Sequence, residues 1–105
     1  MTHYKGKLIS HGVRLTPEET QTIDFLRTKG VNIELIPPVR RKGARTPDIS
    51  IGDTPWEIKC PRSATTSSLT NIFKKAITQS PNLIFDLRHL NGSPSKAINT
   101  LTSLY

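Results

Sequence analysis

Cysteine is nearly absent: Cys60 stands alone in 105 residues. No disulfide can close within the chain, which suits a protein working in a reducing cytosol, and Cys60 itself reads as a small buried hydrophobe. Aromatic residues make up 6%, too few for a row of stacking platforms, which disfavours sequence-tolerant single-strand binding. Acidic residues are scarce too, 8 against 15 Lys and Arg, leaving a formal charge of +7 and a pI near 10.0. That imbalance calls for an anionic partner, and for a small domain nucleic acid is the commonest. No apolar run is long enough to span a membrane, and the N-terminus lacks a signal-peptide stretch, so no membrane partner is expected. The length fits one domain, 1–105, burying roughly 60–70% of its unfolded surface.

Residues 1–14 are basic and aperiodic, with His3, Lys5, Lys7 and His11. They read as a linker from a larger polypeptide or as an edge segment with a strand at Lys7-Leu8-Ile9; residues 15–105 hold the core. Thr16-Pro17-Glu18-Glu19 is a helix start, and the helix is predicted to reach about Thr28, with Gly30 as its stop. Val31–Ile36 alternates as a strand halted by Pro37-Pro38. Ile49-Ser50-Ile51 and Trp56–Cys60 alternate around Gly52-Asp53-Thr54-Pro55, the pattern of a β-hairpin. A helix from about Ser68 to Gln79, an apolar strand over Asn82–Leu87 and a last helix from Ser93-Pro94 follow. In that last helix Ala97, Ile98, Leu101, Leu104 and Tyr105 form one stripe. The order predicts a small α+β fold, a central mixed sheet flanked by helices.

The hairpin carries the chemistry. With Asp53-Thr54 as its loop, Ile51 opposes Trp56, Ser50 opposes Glu57 and Asp48 opposes Lys59. Asp48, Ser50, Glu57 and Lys59 then share one polar face. Asp48 and Glu57 become diagonal neighbours, roughly 7–8 Å apart at the backbone. Two carboxylates within reach of one hard cation, with a lysine beside them, are the equipment of a metal-dependent phosphodiesterase. Mg²⁺, Mn²⁺ or Zn²⁺ would serve. The plain alternative is a solvated hairpin face with an Asp–Lys pair worth under about 1 kcal/mol.

Other residues group around this pair. Glu19, Ile23 and Leu26 lie on one stripe facing the sheet, and Glu19 is equally the acid of a capping box with Thr16. Gln79, at the end of the later helix, lines the site or sits at its edge. Arg40, Arg41, Lys42 and Arg45 form a basic loop just before Asp48, placed to meet phosphates, and Lys74 and Lys75 extend that footprint. Metal-free cleavage through a 2′-hydroxyl would need a histidine base, for which His89 is the residue outside the N-terminal tail. A lone histidine there is more often structural. A ribonuclease, a DNA endonuclease and a non-catalytic nucleic-acid-binding module stay open.

Leu15-Thr16-Pro17-Glu18-Glu19, Thr46-Pro47-Asp48-Ile49, Trp56-Glu57-Ile58-Lys59-Cys60-Pro61, Ala76-Ile77-Thr78-Gln79-Ser80 and Leu83-Ile84-Phe85-Asp86-Leu87 occur in that order. The series resembles the C-terminal tRNase domain of contact-dependent growth inhibition (CdiA-type) toxins, within the PD-(D/E)xK nuclease-like superfamily. The likeness covers residues 15 to 90. It implies a PD-(D/E)xK-like core in which Asp48, Glu57 and Lys59 are catalytic, Glu19 is the helix acid, and the three carboxylates hold the metal. It also implies a tRNA substrate, delivery from a secreted or surface toxin into the cytoplasm of a competing bacterium, and a cognate immunity protein. Charge complementarity makes that protein acidic. The chain looks like a nuclease domain without the part that carries it into a cell.

Overall fold

The computed structural model describes residues 5–39 and 45–105. Its elements run β1 (Leu8–Ile9), α1 (Pro17–Thr28), β2 (Ile33–Leu35), β3 (Ile49–Ile51), β4 (Thr54–Lys59), α2 (Thr66–Ala76), β5 (Leu83–Phe85) and α3 (Pro94–Leu104). The five strands form one sheet in the order β1-β2-β3-β4-β5. β2, β3 and β4 are antiparallel neighbours, whereas β1 runs parallel to β2 and β5 parallel to β4. This is the mixed α+β architecture expected from the order of elements. Among the described residues, no helix is long and apolar enough to cross a membrane.

Local chemistry sets the helix ends. The Thr16 hydroxyl accepts from the Glu19 N–H, and the Glu19 carboxylate accepts from the Thr16 N–H at 2.9 Å, a complete capping box. Pro17 fills the first turn, where its missing N–H costs nothing. Thr65 and Ser93 cap α2 and α3 with the hydroxyl alone, accepting from the Ser68 and Lys96 N–H groups. α2 begins earlier than the expected Ser68 because Thr65 caps it, and it stops at Ala76. Gln79 therefore lies beyond the helix, in a turn whose Gln79 and Ser80 N–H groups both donate to the Ala76 carbonyl. Pro81, disfavouring helical backbone before it, makes this unwinding the cheaper path.

The N-terminal segment takes the edge form of its two readings. Leu8 pairs with Ile33 and Ile9 with Glu34. Gly6 donates to the Arg27 carbonyl at 2.7 Å, while Arg27 Nε donates back to the Gly6 carbonyl at 2.9 Å. A side chain at Gly6 would collide with the Val31 carbonyl, so glycine is what lets the two backbones approach.

α1 covers one face of the sheet, where Ile23 packs with Ile33, Leu35, Ile49 and Ile58. α2 and α3 pack on each other over the opposite face, burying Leu69, Phe73, Ala76 and Ala97. The expected α3 stripe is narrower than the sequence pattern: Ile98 is 52% and Tyr105 82% exposed. Tyr105 instead meets the Phe73 ring edge-on at 6.3 Å. Along β4 and β5, Ile58 and Ile84 face α1, and Glu57, Lys59, Leu83 and Phe85 face the other way. Two layers of helix thus leave Glu57 inside the protein.

Candidate active site

The β3–β4 turn falls one residue earlier than expected. Gly52 and Asp53 form the loop, with Gly52 at φ 61, so that Ile51 pairs with Thr54, Ser50 with Pro55 and Ile49 with Trp56. Glycine is the residue that takes a positive φ without steric cost. The correction moves every pairing by two positions. Because side chains alternate with a period of two, the faces survive the shift while the partners change. An unbroken continuation of this register would set Asp48 opposite Glu57, not Lys59.

Asp48 lies at a break in the ladder. Its N–H donates to the Trp56 carbonyl at 3.1 Å, although Trp56 is already the partner of Ile49. Two residues of one strand against one of the other is the arrangement of a β-bulge, a device that re-aims a side chain at a strand end. The Asp48 carboxylate then accepts the Ile58 N–H at 2.8 Å, continuing in side-chain form the ladder that β3 has stopped providing.

Glu57 is 2% exposed, so the polar face of the hairpin is not a solvated one at this position. Oε2 accepts from Lys59 Nζ at 3.1 Å. Oε1 is buried with no hydrogen-bond partner. Burial, then the adjacent Asp48 carboxyl, raise the Glu57 pKa to about 7, although Lys59 pulls the other way. Two carboxyl groups and one half-buried ammonium therefore converge on a site that stores unmet demand for positive charge or a proton. Among the described residues there is no cluster of three or more potential metal-ligating side chains, so the carboxylate set is the pair Asp48 and Glu57.

Glu19 and Asp48 line a cleft of about 160 Å³ together with Arg14 and Thr46. Glu19 is thus near Asp48, but its Oε1 is already held by the Thr16 N–H. Arg14 is a cation at this cleft that the sequence reading passed over inside the basic N-terminal segment. Arg45 is exposed. Arg40, Arg41 and Lys42 lie outside the described residues. Lys74 and Lys75 are exposed in the last turn of α2. Ser50 is not brought to the site: its hydroxyl donates to the Gly52 carbonyl at 2.8 Å, and it lines a separate cleft with Lys7 and Glu34. Gln79, off the helix, is likewise not among the residues lining the Asp48 cleft. His89 follows β5 with Nε2 buried and without a partner.

A second polar group went unread in the sequence. Asp86, buried just past β5, accepts from the Thr22 hydroxyl at 2.6 Å and from Arg88 Nε and Nη2 at 2.9 and 2.6 Å. The Arg88 hydrogen bonds hold its carboxyl well below the usual carboxylate range, against the upward push of burial. The Asp-x-Arg spacing is visible in the chain and is the signal that would have found it. Cys60 packs beside this group, its Sγ 3.6 Å from the Thr22 hydroxyl, and burial pushes its thiol pKa up.

Among solved structures, the fold is similar to a chain of the CdiA-CT/CdiI toxin and immunity complex from Burkholderia pseudomallei. The TM-score is 0.68 at 16% identity, over 93% of this chain and 83% of that one. At that identity the likeness speaks to the fold. No curated protein matches the sequence. A family model does: the contact-dependent growth inhibition CdiA C-terminal domain matches residues 45–105, the stretch carrying the bulge at Asp48, the Glu57–Lys59 strand and everything after it. Matched over more than half its length by that model, the chain belongs to the CdiA C-terminal domain family of contact-dependent growth inhibition.

Proposed function

We propose that this domain is a toxin endoribonuclease of PD-(D/E)xK type that hydrolyses phosphodiester bonds in tRNA with the help of a divalent cation. The observation that carries the reading is the orphaned Glu57 Oε1, buried beside Asp48 and within one side chain of Lys59. A buried carboxylate oxygen without a donor is costly, and a neighbouring carboxylate makes it more so. A bound cation removes both costs. Asp48 and Glu57 fit Mg²⁺ or a similar ion, which is commonly held by one or two carboxylates plus waters and substrate phosphate. Such an ion supplies Lewis-acid stabilisation of the phosphoryl group and a more acidic water.

The chain's own residues do the rest. The Ile58 N–H fixes one Asp48 oxygen, so the carboxylate is oriented before substrate arrives. Lys59 is tethered through Glu57 and keeps ammonium donors for a phosphoryl oxygen, where they gain strength as negative charge builds. Glu19, oriented by its capping box, adds its charge to the cleft directly or through water. Arg14, Arg45 and the basic stretch 40–42 attract the polyanion without reading its sequence.

An acidic immunity protein covering this cationic face is the partner the reading requires, consistent with the toxin and immunity complex named for the similar solved structure. Delivery into the cytoplasm of a competing cell follows from the same reading. The test is incubation with total tRNA and with plasmid DNA, each with Mg²⁺ and with chelator. Cleavage of tRNA in Mg²⁺ alone is expected. Cleavage of plasmid alone would assign a DNA endonuclease, and cleavage of neither would leave a binding module.

A further inference from the structure

Phe25 stands 43% exposed on α1 in a protein with few aromatic rings. Two cations attend it: Arg88 Cζ is 5.4 Å and Lys29 Nζ 5.5 Å from the ring centroid. The ring helps line a cavity of about 470 Å³, whose other walls include Leu26, Ile84, Leu87 and the Asp86–Arg88 pair. That volume is within the usual range for small-ligand sites.

The position is informative. The Asp86 N–H donates to the Lys59 carbonyl at 2.9 Å, so the cavity begins one backbone hydrogen bond from the strand that carries Lys59, on the α1 side of the sheet. It opens past the carboxyl ends of the parallel strands β4 and β5, the end at which α/β sheets hold ligands. Arg88 is also pre-organised. Its guanidinium is locked to both oxygens of Asp86, and Asp86 is locked in turn by Thr22. An arginine held that way meets a phosphate or a planar ring with little further loss of freedom. Lys29 makes no ion pair among the described residues and sits on a long flexible stem.

We propose that this cavity is a nucleotide subsite, in which an unpaired base of the bound RNA lies against Phe25 and its phosphate is met by Arg88 and Lys29. The source of the nucleotide rests on the tRNA reading above. An apolar side chain from a protein partner would use the walls and leave the cations without a role, whereas a lone anion would use the cations and leave the cavity empty. A nucleotide uses both, by stacking and by charge.

The test is binding in chelator, where no cleavage is expected, using end-labelled tRNA by fluorescence anisotropy, with 5′-AMP and inorganic phosphate as separate probes. Phe25→Leu keeps the apolar contact and loses the ring. It is expected to weaken tRNA binding about 5- to 150-fold, the range for one lost base stack. The salt dependence should stay as in the wild type, since no phosphate contact goes. Lys29→Ala should instead reduce the slope of log K against log salt by about 0.7–0.9. Phe25→Trp should restore binding, and melting curves should show all three variants folded. 5′-AMP should bind more tightly than phosphate, and only to proteins carrying a ring at position 25. Wild-type tRNA and 5′-AMP affinities in Phe25→Leu would overturn the subsite, as would a loss of affinity confined to the immunity protein. If the wild type neither bound nor cut tRNA, the functional reading would fall while the 5′-AMP measurement still decided the cavity.

Discussion

Glu57→Gln, measured in chelator, isolates the electrostatic load at the centre of the candidate site. In the folded protein the Glu57 carboxyl titrates at about 7 instead of 4.5, through burial and the neighbouring Asp48. Between those two values the folded state holds a proton that the unfolded chain has released. Stability from this group is therefore fully present below about pH 4.5 and is lost as pH rises through about 7. At about 1.36 kcal/mol per pH unit across that window, the loss is somewhat over about 3 kcal/mol, or on the order of 10–20 °C in Tm for a domain of this size. Glutamine is neutral at every pH and nearly the same shape. Its amide can accept from Lys59 and donate to Asp48, so the orphaned oxygen is replaced by a satisfied donor. Melting curves of wild type and variant at pH 5, 6, 7 and 8 are expected to diverge, with the variant the more stable by pH 8. Comparison of the two proteins cancels the contribution of every other group. Mg²⁺ at pH 8 should raise the wild-type Tm and leave the variant nearly unmoved. Parallel pH profiles, or a variant less stable than wild type at pH 8, would refute the account of Glu57 as a buried carboxyl awaiting a cation.

Asp48→Ala is expected to abolish tRNA cleavage on a gel while melting within about 1 kcal/mol of wild type, because the lost Ile58 hydrogen bond is offset by relief of repulsion on Glu57. Asp86→Ala should cost about 1.5–3 kcal/mol in urea unfolding at pH 7, since Thr22 and Arg88 lose a charged partner. The Asp86 carboxyl is held below 3.8, so its contribution is present above that value and lost as pH falls through the depressed one. The stability difference between wild type and Asp86→Ala should accordingly shrink steadily as pH is lowered below 3.8. Gly6→Ala should destabilise by about 1–3 kcal/mol through the forced contact with the Val31 carbonyl. Hydrogen exchange at the Ile33 amide, which donates to the Lys7 carbonyl at 2.8 Å, should quicken as β1 loosens.

Much of the fold and part of the candidate site were legible in the chain because they depend on neighbours. The capping box at Thr16 and Glu19, the proline at the first turn and the Gly30 stop at φ 84 are decided within a few residues of each other. So is the alternation that puts Glu57 and Lys59 on one face and Ile58 on the other. Even the misplaced turn left that division intact, since Gly52-Asp53 and Asp53-Thr54 differ by a shift that preserves parity. Choosing between them needed the backbone, where Gly52 alone takes a positive φ at little cost. The bulge that turns Asp48 toward the Ile58 N–H, and the union of Thr22 with Asp86 across 64 residues, were not readable locally. Nor was the placing of α2 and α3 over Glu57. Strand parity says which side chains share a face, but whether that face meets water or a helix is settled by how distant segments pack, and that packing turned a solvated glutamate into a buried one.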